Sequence, residues 1–277
     1  MERKLIFLDI DGTIVEALSA PSPLVRRAVQ GARARGHMVF LCTGRNLAII
    51  GPDILEIGFD GVVASAGGYV AVGDEVLLDS LLPEQLVQEC LDILHSRGLY
   101  CRIETADGIY SDPQMEALVR MAAPDPGNSE LIRMQKELEA GLPMRKYADY
   151  PRQGAYKICF TSASLAPMEA AQEALGDRFD FVVHPYRGRA ACFNGEMVRK
   201  GVDKGCGIQL VCQHLGADLR DTIAFGDSMN DSGMMRCAGI SVAMGNACEE
   251  LKALCDLVCG DVAHDGVYHE LVRMGLC

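Results

Sequence analysis

The chain has 277 residues, 49% of them hydrophobic and 23% charged, enough to fill one large or two ordinary globular cores. Its net charge of −12 argues against nucleic acid or an anionic membrane as main partner, and any anionic substrate would need a local basic site. After Met-Glu-Arg-Lys the apolar run Leu5 to Leu8 is too short for a signal peptide, and the longest uncharged stretch, Gly61 to Gly73, has 13 residues, too few to span a bilayer. A cytoplasmic protein, monomer or homodimer, is expected. The 12 cysteines fit that expectation. Most sit in apolar runs (Cys42, Cys90, Cys159, Cys212) and no C-x-x-C occurs, which favours free buried thiols over disulfides or a zinc site.

The first element is Lys4-Leu-Ile-Phe-Leu-Asp9-Ile-Asp11-Gly12-Thr13. A short apolar run bounded by a turn reads as a buried strand of a parallel sheet. Ligands bind outside the carboxyl ends of such strands, which is where Asp9 and Asp11 fall. An EF-hand is excluded, because Gly12 arrives before three oxygen ligands have been supplied. Ser22-Pro23 reads as an N-cap with Pro at the first helical position, followed by Leu24, Val25, Ala28, Val29 and Ala32 at helical spacing and a stop at Gly36. Met38 to Cys42 is a second strand, ending in Thr43-Gly44-Arg45, so the opening is a βαβ unit. Gly61 to Val72, leading to Glu75-Val-Leu-Leu, reads as strand plus hairpin.

From Pro83 the texture changes. Pro83 to Arg97 is an amphipathic helix; Tyr100 to Ile103 and Gly108 to Tyr110 are strands. Two helical stretches follow, separated by the loop from Pro124 to Asn128. Tyr156 to Thr161 is a strand, Leu165 to Leu175 a helix and Phe179 to His184 a strand. This α+β texture predicts a separate lobe over residues 82–185, with 1–81 and 186–277 forming an α/β domain around a parallel sheet. The α/β pattern resumes at Glu196 and runs through Lys204 into a helix to Leu215. A strand Thr222 to Phe225 ends in Gly226-Asp227-Ser228-Met229-Asn230-Asp231. Ile240 to Ala243, a strand near Leu257-Val258 and a helix from Gly266 close the chain.

Three apolar strands thus end in polar clusters: Asp9/Asp11, Thr43, and Asp227/Asn230/Asp231. Lys204 opens a helix between two of them. Four carboxylates with one Lys and one Thr need a cation, and oxygen-only ligands select a hard one, Mg²⁺. A phosphoryl group suits the remaining donors, with a carboxylate free to attack. Each element alone reads as a turn acid, an N-cap or a solvated lysine; their common place at strand ends carries the argument. Neither a P-loop nor G-x-G-x-x-G is present.

Asp9-Ile-Asp11-Gly-Thr13, Thr43-Gly-Arg45, Lys204 and Gly226-Asp227-Ser-Met-Asn230-Asp231 resemble the four motifs of the haloacid dehalogenase superfamily. Ala243-Met-Gly-Asn-Ala247 and Asp265-Gly-Val267 are similar to those of its Cof-type subgroup with a class IIB cap. The resemblance implies a Rossmann-like core with an inserted α+β cap. It also implies an Mg²⁺-dependent phosphatase acting on a small phosphomonoester, a sugar phosphate above all. Asp9 would be the nucleophile forming an aspartyl-phosphate, and Asp11 the general acid and then base. Thr43 would hold a phosphoryl oxygen, and Lys204 would pair with the phosphate and with Asp9. Asp9, the Asp11 carbonyl and Asp227 would ligate Mg²⁺, with Asn230 and Asp231 as auxiliary groups. Gly44, Arg45, Arg187 and Arg189 are candidates to meet the substrate. A mutase or phosphotransferase on the same scaffold is the alternative, and a non-catalytic phospholigand sensor a more distant one. Where the subgroup often reads Asn-Gly-Ala, this chain has Ala66-Gly67-Gly68, a departure that bears on a substrate contact. Arg199 stands near the position of a usual Pro.

Overall fold

The computed structural model describes residues 2–16, 19–123, 128–139, 145–184 and 192–277. The chain divides into two compact units, Met1–Asp79 with Val202–Cys277, and Ser80–Gly201. The first unit opens with β1 (Leu5–Leu8), β2 (Met38–Cys42), β3 (Gly61–Ala64), β4 (Tyr69–Val72) and β5 (Glu75–Asp79). The second holds β6 (Tyr100–Thr105), β7 (Gly108–Ser111), β8 (Arg145–Lys146), β9 (Lys157–Ser162), β10 (Phe179–His184) and β11 (Phe193–Arg199). The first unit is completed by β12 (Thr222–Gly226), β13 (Ile240–Ala243) and β14 (Leu257–Val258).

The first unit's sheet has the order β14-β13-β12-β1-β2-β3-β4-β5, with β14 through β3 parallel and β3-β4-β5 antiparallel. β1 is central, and its four apolar residues are at most 1% exposed, as a strand covered on both faces requires. Each large side chain so buried contributes roughly 1.5–3 kcal/mol. Phe7 stacks on Phe40 of β2 at 4.9 Å. The helix Pro23–Ala34 starts as expected: Ser22 accepts from the Val25 N–H at 3.1 Å, and Gly36 takes φ +86° past its end.

Register decides where the chemistry falls. Leu8 pairs with Leu41 of β2 and with Phe225 of β12. One residue further on is Asp9, and two residues on from the partners are Thr43 and Asp227. Three chain-distant motifs thus leave the sheet at one edge.

The opposite end of β1 is held by His37, whose Nδ1 accepts from the Lys4 N–H at 3.0 Å. Burial, with Arg35 and Lys4 nearby, lowers its pKa, so the ring stays neutral in the fold. The unfolded chain takes up a proton near 6.5, so this group's stabilisation is complete above that pH and is lost as pH falls below it. Melting temperature should therefore drop on acidification from pH 7 to pH 5.5, with a shallower slope in His37→Gln.

The second unit's sheet has the order β10-β11-β9-β6-β7-β8. On one face Cys101, Ile103, Ile158, Phe160 and Met197 meet apolar residues of the helices Glu84–Ser96 and Ala166–Leu175. The alternate residues Arg102, Glu104, Lys157, Thr161 and Glu196 are polar, yet each is at most 3% exposed. Pairing accounts for their tolerance: Lys157 meets Glu196 at 2.6 Å and Arg102 meets Glu137 at 2.7 Å. The strand β11, which the sequence division placed with residues 186–277, lies in this sheet instead, between β10 and β9. The α/β texture that begins at Glu196 masked an antiparallel pairing, and the chain re-enters the first unit only at Val202.

Candidate active site

Gly12 adopts φ +78°, and a Cβ there would lie 2.3 Å from Asp227 Oδ2. Only glycine lets the β1 loop come this close to the carboxylate beyond β12. Lys204 is the first residue of the helix Lys204–Leu215, capped by Asp203, which accepts from the Cys206 N–H at 2.7 Å. A cation there opposes the helix dipole. What holds it is a pair of acids: Lys204 Nζ donates to Asp9 Oδ1 at 2.7 Å and to Asp231 Oδ1 at 2.5 Å, with the lysine fully buried. Gly205 makes the approach feasible, since a Cβ on it would lie 2.5 Å from the Gly233 carbonyl oxygen.

The acids divide by what they already hold. Asp231 also accepts from the Asp227 and Ser228 N–H groups at 2.9 and 3.1 Å, so both its oxygens are occupied and it anchors the loop after β12. Asn230 accepts from the Ser228 hydroxyl at 2.8 Å. Asp227 Oδ1 is buried without a hydrogen-bond partner. Ligand oxygens of Asp9, Asp227 and Asp231 lie within 4.8 Å of one another. Burial pushes Asp9 up to about 8, opposed by Lys204, and burial together with Asp231 and Asp9 drives Asp227 well above the carboxylate range. Two acids so destabilised as anions, one with an orphaned oxygen, form an oxygen-only set that fits a hard divalent cation.

Asp11 is engaged elsewhere. Arg45 grips it with both prongs, Nε to Oδ2 at 2.8 Å and Nη2 to Oδ1 at 2.7 Å, in a pair about 8% exposed. Arg45, a substrate candidate from sequence, is thus placed on a catalytic candidate. Thr43 is 1% exposed, and its hydroxyl accepts from the Arg45 N–H at 3.1 Å. Gly44 is buried in the same loop. Behind it, Ser65 and Ala66 adopt φ +52° and +55°, and their N–H groups donate to the carbonyls of Arg45 and Thr43 at 2.8 and 3.0 Å. Ala66 stands where the subgroup often carries Asn, a residue that tolerates this left-handed backbone better. Arg187 and Arg189 lie outside the described residues.

Three further polar side chains stand in these loops. Thr13 Oγ1 and Ser65 Oγ are buried without partners. Asn246 donates to the Gly12 carbonyl at 2.8 Å and accepts from the Val262 N–H at 2.9 Å. Two residues on, the Cys248 N–H donates to the Asp227 carbonyl at 3.1 Å. One short turn therefore ties the Asp9–Gly12 loop to the Asp227 loop. The sequence signal was the motif Ala243 to Ala247, whose Asn had no assigned task.

The acids after the central strand, the buried Lys204–Asp9 pair and the second acidic loop thus stand together at one edge of the parallel sheet. The profile of the haloacid dehalogenase-like hydrolases matches residues 6–271, and the chain belongs to that family, in its phosphatase branch. It is 29% identical to a phosphoglycolate phosphatase of Methanopyrus kandleri, over 95% of this chain and 93% of that one. It is 28% identical to an HMP-PP phosphatase of Yersinia enterocolitica, over 97% and 94%. Among solved structures, the HAD subclass IIB sugar phosphatase BT4131 superposes with a TM-score of 0.76 at 25% identity, covering 99% of this chain and 100% of that one. Among the described residues no helix is long and apolar enough to cross a membrane.

Proposed function

We propose that this protein is an Mg²⁺-dependent phosphatase that hydrolyses a small phosphomonoester, a sugar phosphate being the leading class, through a phosphoryl group carried on Asp9. The observation that carries the reading is the buried Lys204–Asp9 contact at 2.7 Å beside the orphaned Asp227 Oδ1. Asp9, Asp227 and the Asp11 carbonyl would hold the cation, which supplies charge neutralisation at the phosphoryl oxygens.

The chain's own groups do the rest. An Asp9 oxygen forms a bond to phosphorus as the ester oxygen leaves, and Asp11 gives that oxygen its proton. Asp11 then takes a proton from water, whose oxygen displaces Asp9 and releases inorganic phosphate. Arg45 donates to both Asp11 oxygens, and each oxygen keeps a second lone pair for the proton. Lys204 keeps Asp9 oriented, and Thr43 offers its hydroxyl to a phosphoryl oxygen. The sugar-phosphate preference leans on BT4131, whereas the two curated relatives are named for other phosphorylated compounds.

Phosphate release from a panel of sugar phosphates, nucleotides, pyridoxal phosphate, flavin mononucleotide and a nitrophenyl ester, with and without Mg²⁺, tests the reading. Mg²⁺-dependent release without an added acceptor is the expected result. Transfer only to an added sugar acceptor would instead make it a phosphotransferase. Asn246→Ala should raise the Mg²⁺ concentration for half-maximal activity about tenfold, the usual scale for a group that orients ligands. Asn246→Asp, which keeps the acceptor for Val262 but not the donor to Gly12, should do the same; Mg²⁺ titration of folded protein checks both.

A further inference from the structure

The second unit contains a cluster that the phosphatase reading does not use. His95 lies in the last turn of the helix Glu84–Ser96, Cys101 is the second residue of β6, and Asp112 directly follows β7. Their ligand atoms lie within 4.8 Å of one another. His95 Nε2 is 2.8 Å from Asp112 Oδ2. The same oxygen accepts from the Cys101 N–H at 2.7 Å, and the Asp112 N–H donates to the Cys101 carbonyl at 2.9 Å.

Two features set this apart from a surface ion pair. Asp112 occupies the N-cap of the helix Pro113–Met121, yet its side chain makes no capping bond. An N-cap aspartate ordinarily satisfies its own helix; this one is turned toward Cys101 and His95. The Cys101 thiol is fully buried. The ring of Tyr147 meets His95 edge-on at 5.2 Å and walls the group on another side. Imidazole, thiol and carboxylate thus converge from three segments, with the carboxylate already oriented by a backbone donor.

We infer that His95, Cys101 and Asp112 form a binding site for a borderline-soft divalent transition metal, Zn²⁺ in class, distinct from the oxygen-only cluster of the first unit. A nitrogen, a sulfur and an oxygen are the donor set such an ion takes, with a fourth position left to water. Thiolate and carboxylate together neutralise the dication, which suits a mostly buried site. On binding, the thiol proton leaves to solvent. The proton between His95 Nε2 and Asp112 moves to Nδ1 of the partly exposed ring. Mg²⁺ has little affinity for this set, so the two sites select different ions.

The probe is Co²⁺, which reports thiolate ligation by a ligand-to-metal absorption band. Full-length protein held in excess Mg²⁺ is titrated with Co²⁺ and then with Zn²⁺. The expected result is one equivalent of Co²⁺ with a thiolate band, bleached by Zn²⁺, and a rise in melting temperature with Zn²⁺. Cys101→Ala and His95→Ala, each shown folded by circular dichroism, should lose both responses. His95 is half-exposed, so its replacement tests the site even where the buried cysteine variant folds poorly. Absence of the band in folded wild-type protein overturns the inference. So does a band that survives in both variants, because the thiolate would then belong to another cysteine, such as the exposed Cys206.

Discussion

Asp9→Asn should lower phosphate release by about 10⁴-fold or more, because it removes the attacking oxygen while leaving the surrounding geometry in place. The same substitution should stabilise the metal-free protein. Burial raises the Asp9 carboxyl to about 8 in the fold, against 3.8 unfolded. Between those values the folded chain holds the extra proton, so this group's contribution to stability falls as pH rises and is unfavourable at neutral pH. Asn carries no charge and escapes that cost. Thermal melts in a chelator at pH 7.5 should show Asp9→Asn above wild type, and equal or lower melting would show that the acid cluster is not strained. Activity and stability are thus opposed at this residue.

The second large effect is at Lys204. Lys204→Met keeps most of the side-chain volume and removes the charge shared by Asp9 and Asp231. The buried Asp231 carboxylate then faces Asp9 without a cation, a defect that costs about 3–5 kcal/mol for a broken buried pair. Melting temperature should fall steeply and turnover should vanish. Adding Asp231→Asn should recover part of the stability, since the orphaned charge is gone, but no activity. A double variant as unstable as the single one would mean that packing, rather than charge, sets the loss.

Much of this site was visible in the residues because its groups end short apolar runs. Asp9, Thr43 and Asp227 each follow a strand, and a parallel register does the rest: Leu8 beside Leu41 and Phe225 brings them together without further information. Lys204 was legible as the residue that opens a helix between two of these clusters. What stayed hidden depends on side-chain reach between loops. Arg45 closing on Asp11 is a matter of rotamers, and no spacing rule encodes it. The left-handed turn at Ser65 and Ala66 carries neither Asn nor Gly at its first two positions, the residues that usually announce it. β11 was misassigned because its antiparallel partners β9 and β10 are set by a sheet, not by a local pattern. Of the twelve cysteines, all free, six are buried, and reading them as buried thiols passed over Cys101 beside His95 and Asp112.

The central strand has a consequence for how the molecule is made. β1 ends at Leu8, yet one of its two neighbours, β12, begins only at Thr222 and leaves the ribosome long after it. Until β12 has been synthesised, a fully apolar strand has one open edge, a ready template for wrong pairing. The continuous unit Ser80–Gly201 has no such wait and can complete its own sheet while synthesis proceeds. Chaperone demand in the cell, and aggregation on refolding from denaturant, should therefore track the delay between β1 and β12. A circular permutant that begins at Val202 and joins Cys277 to the original start would bring those two strands out in quick succession.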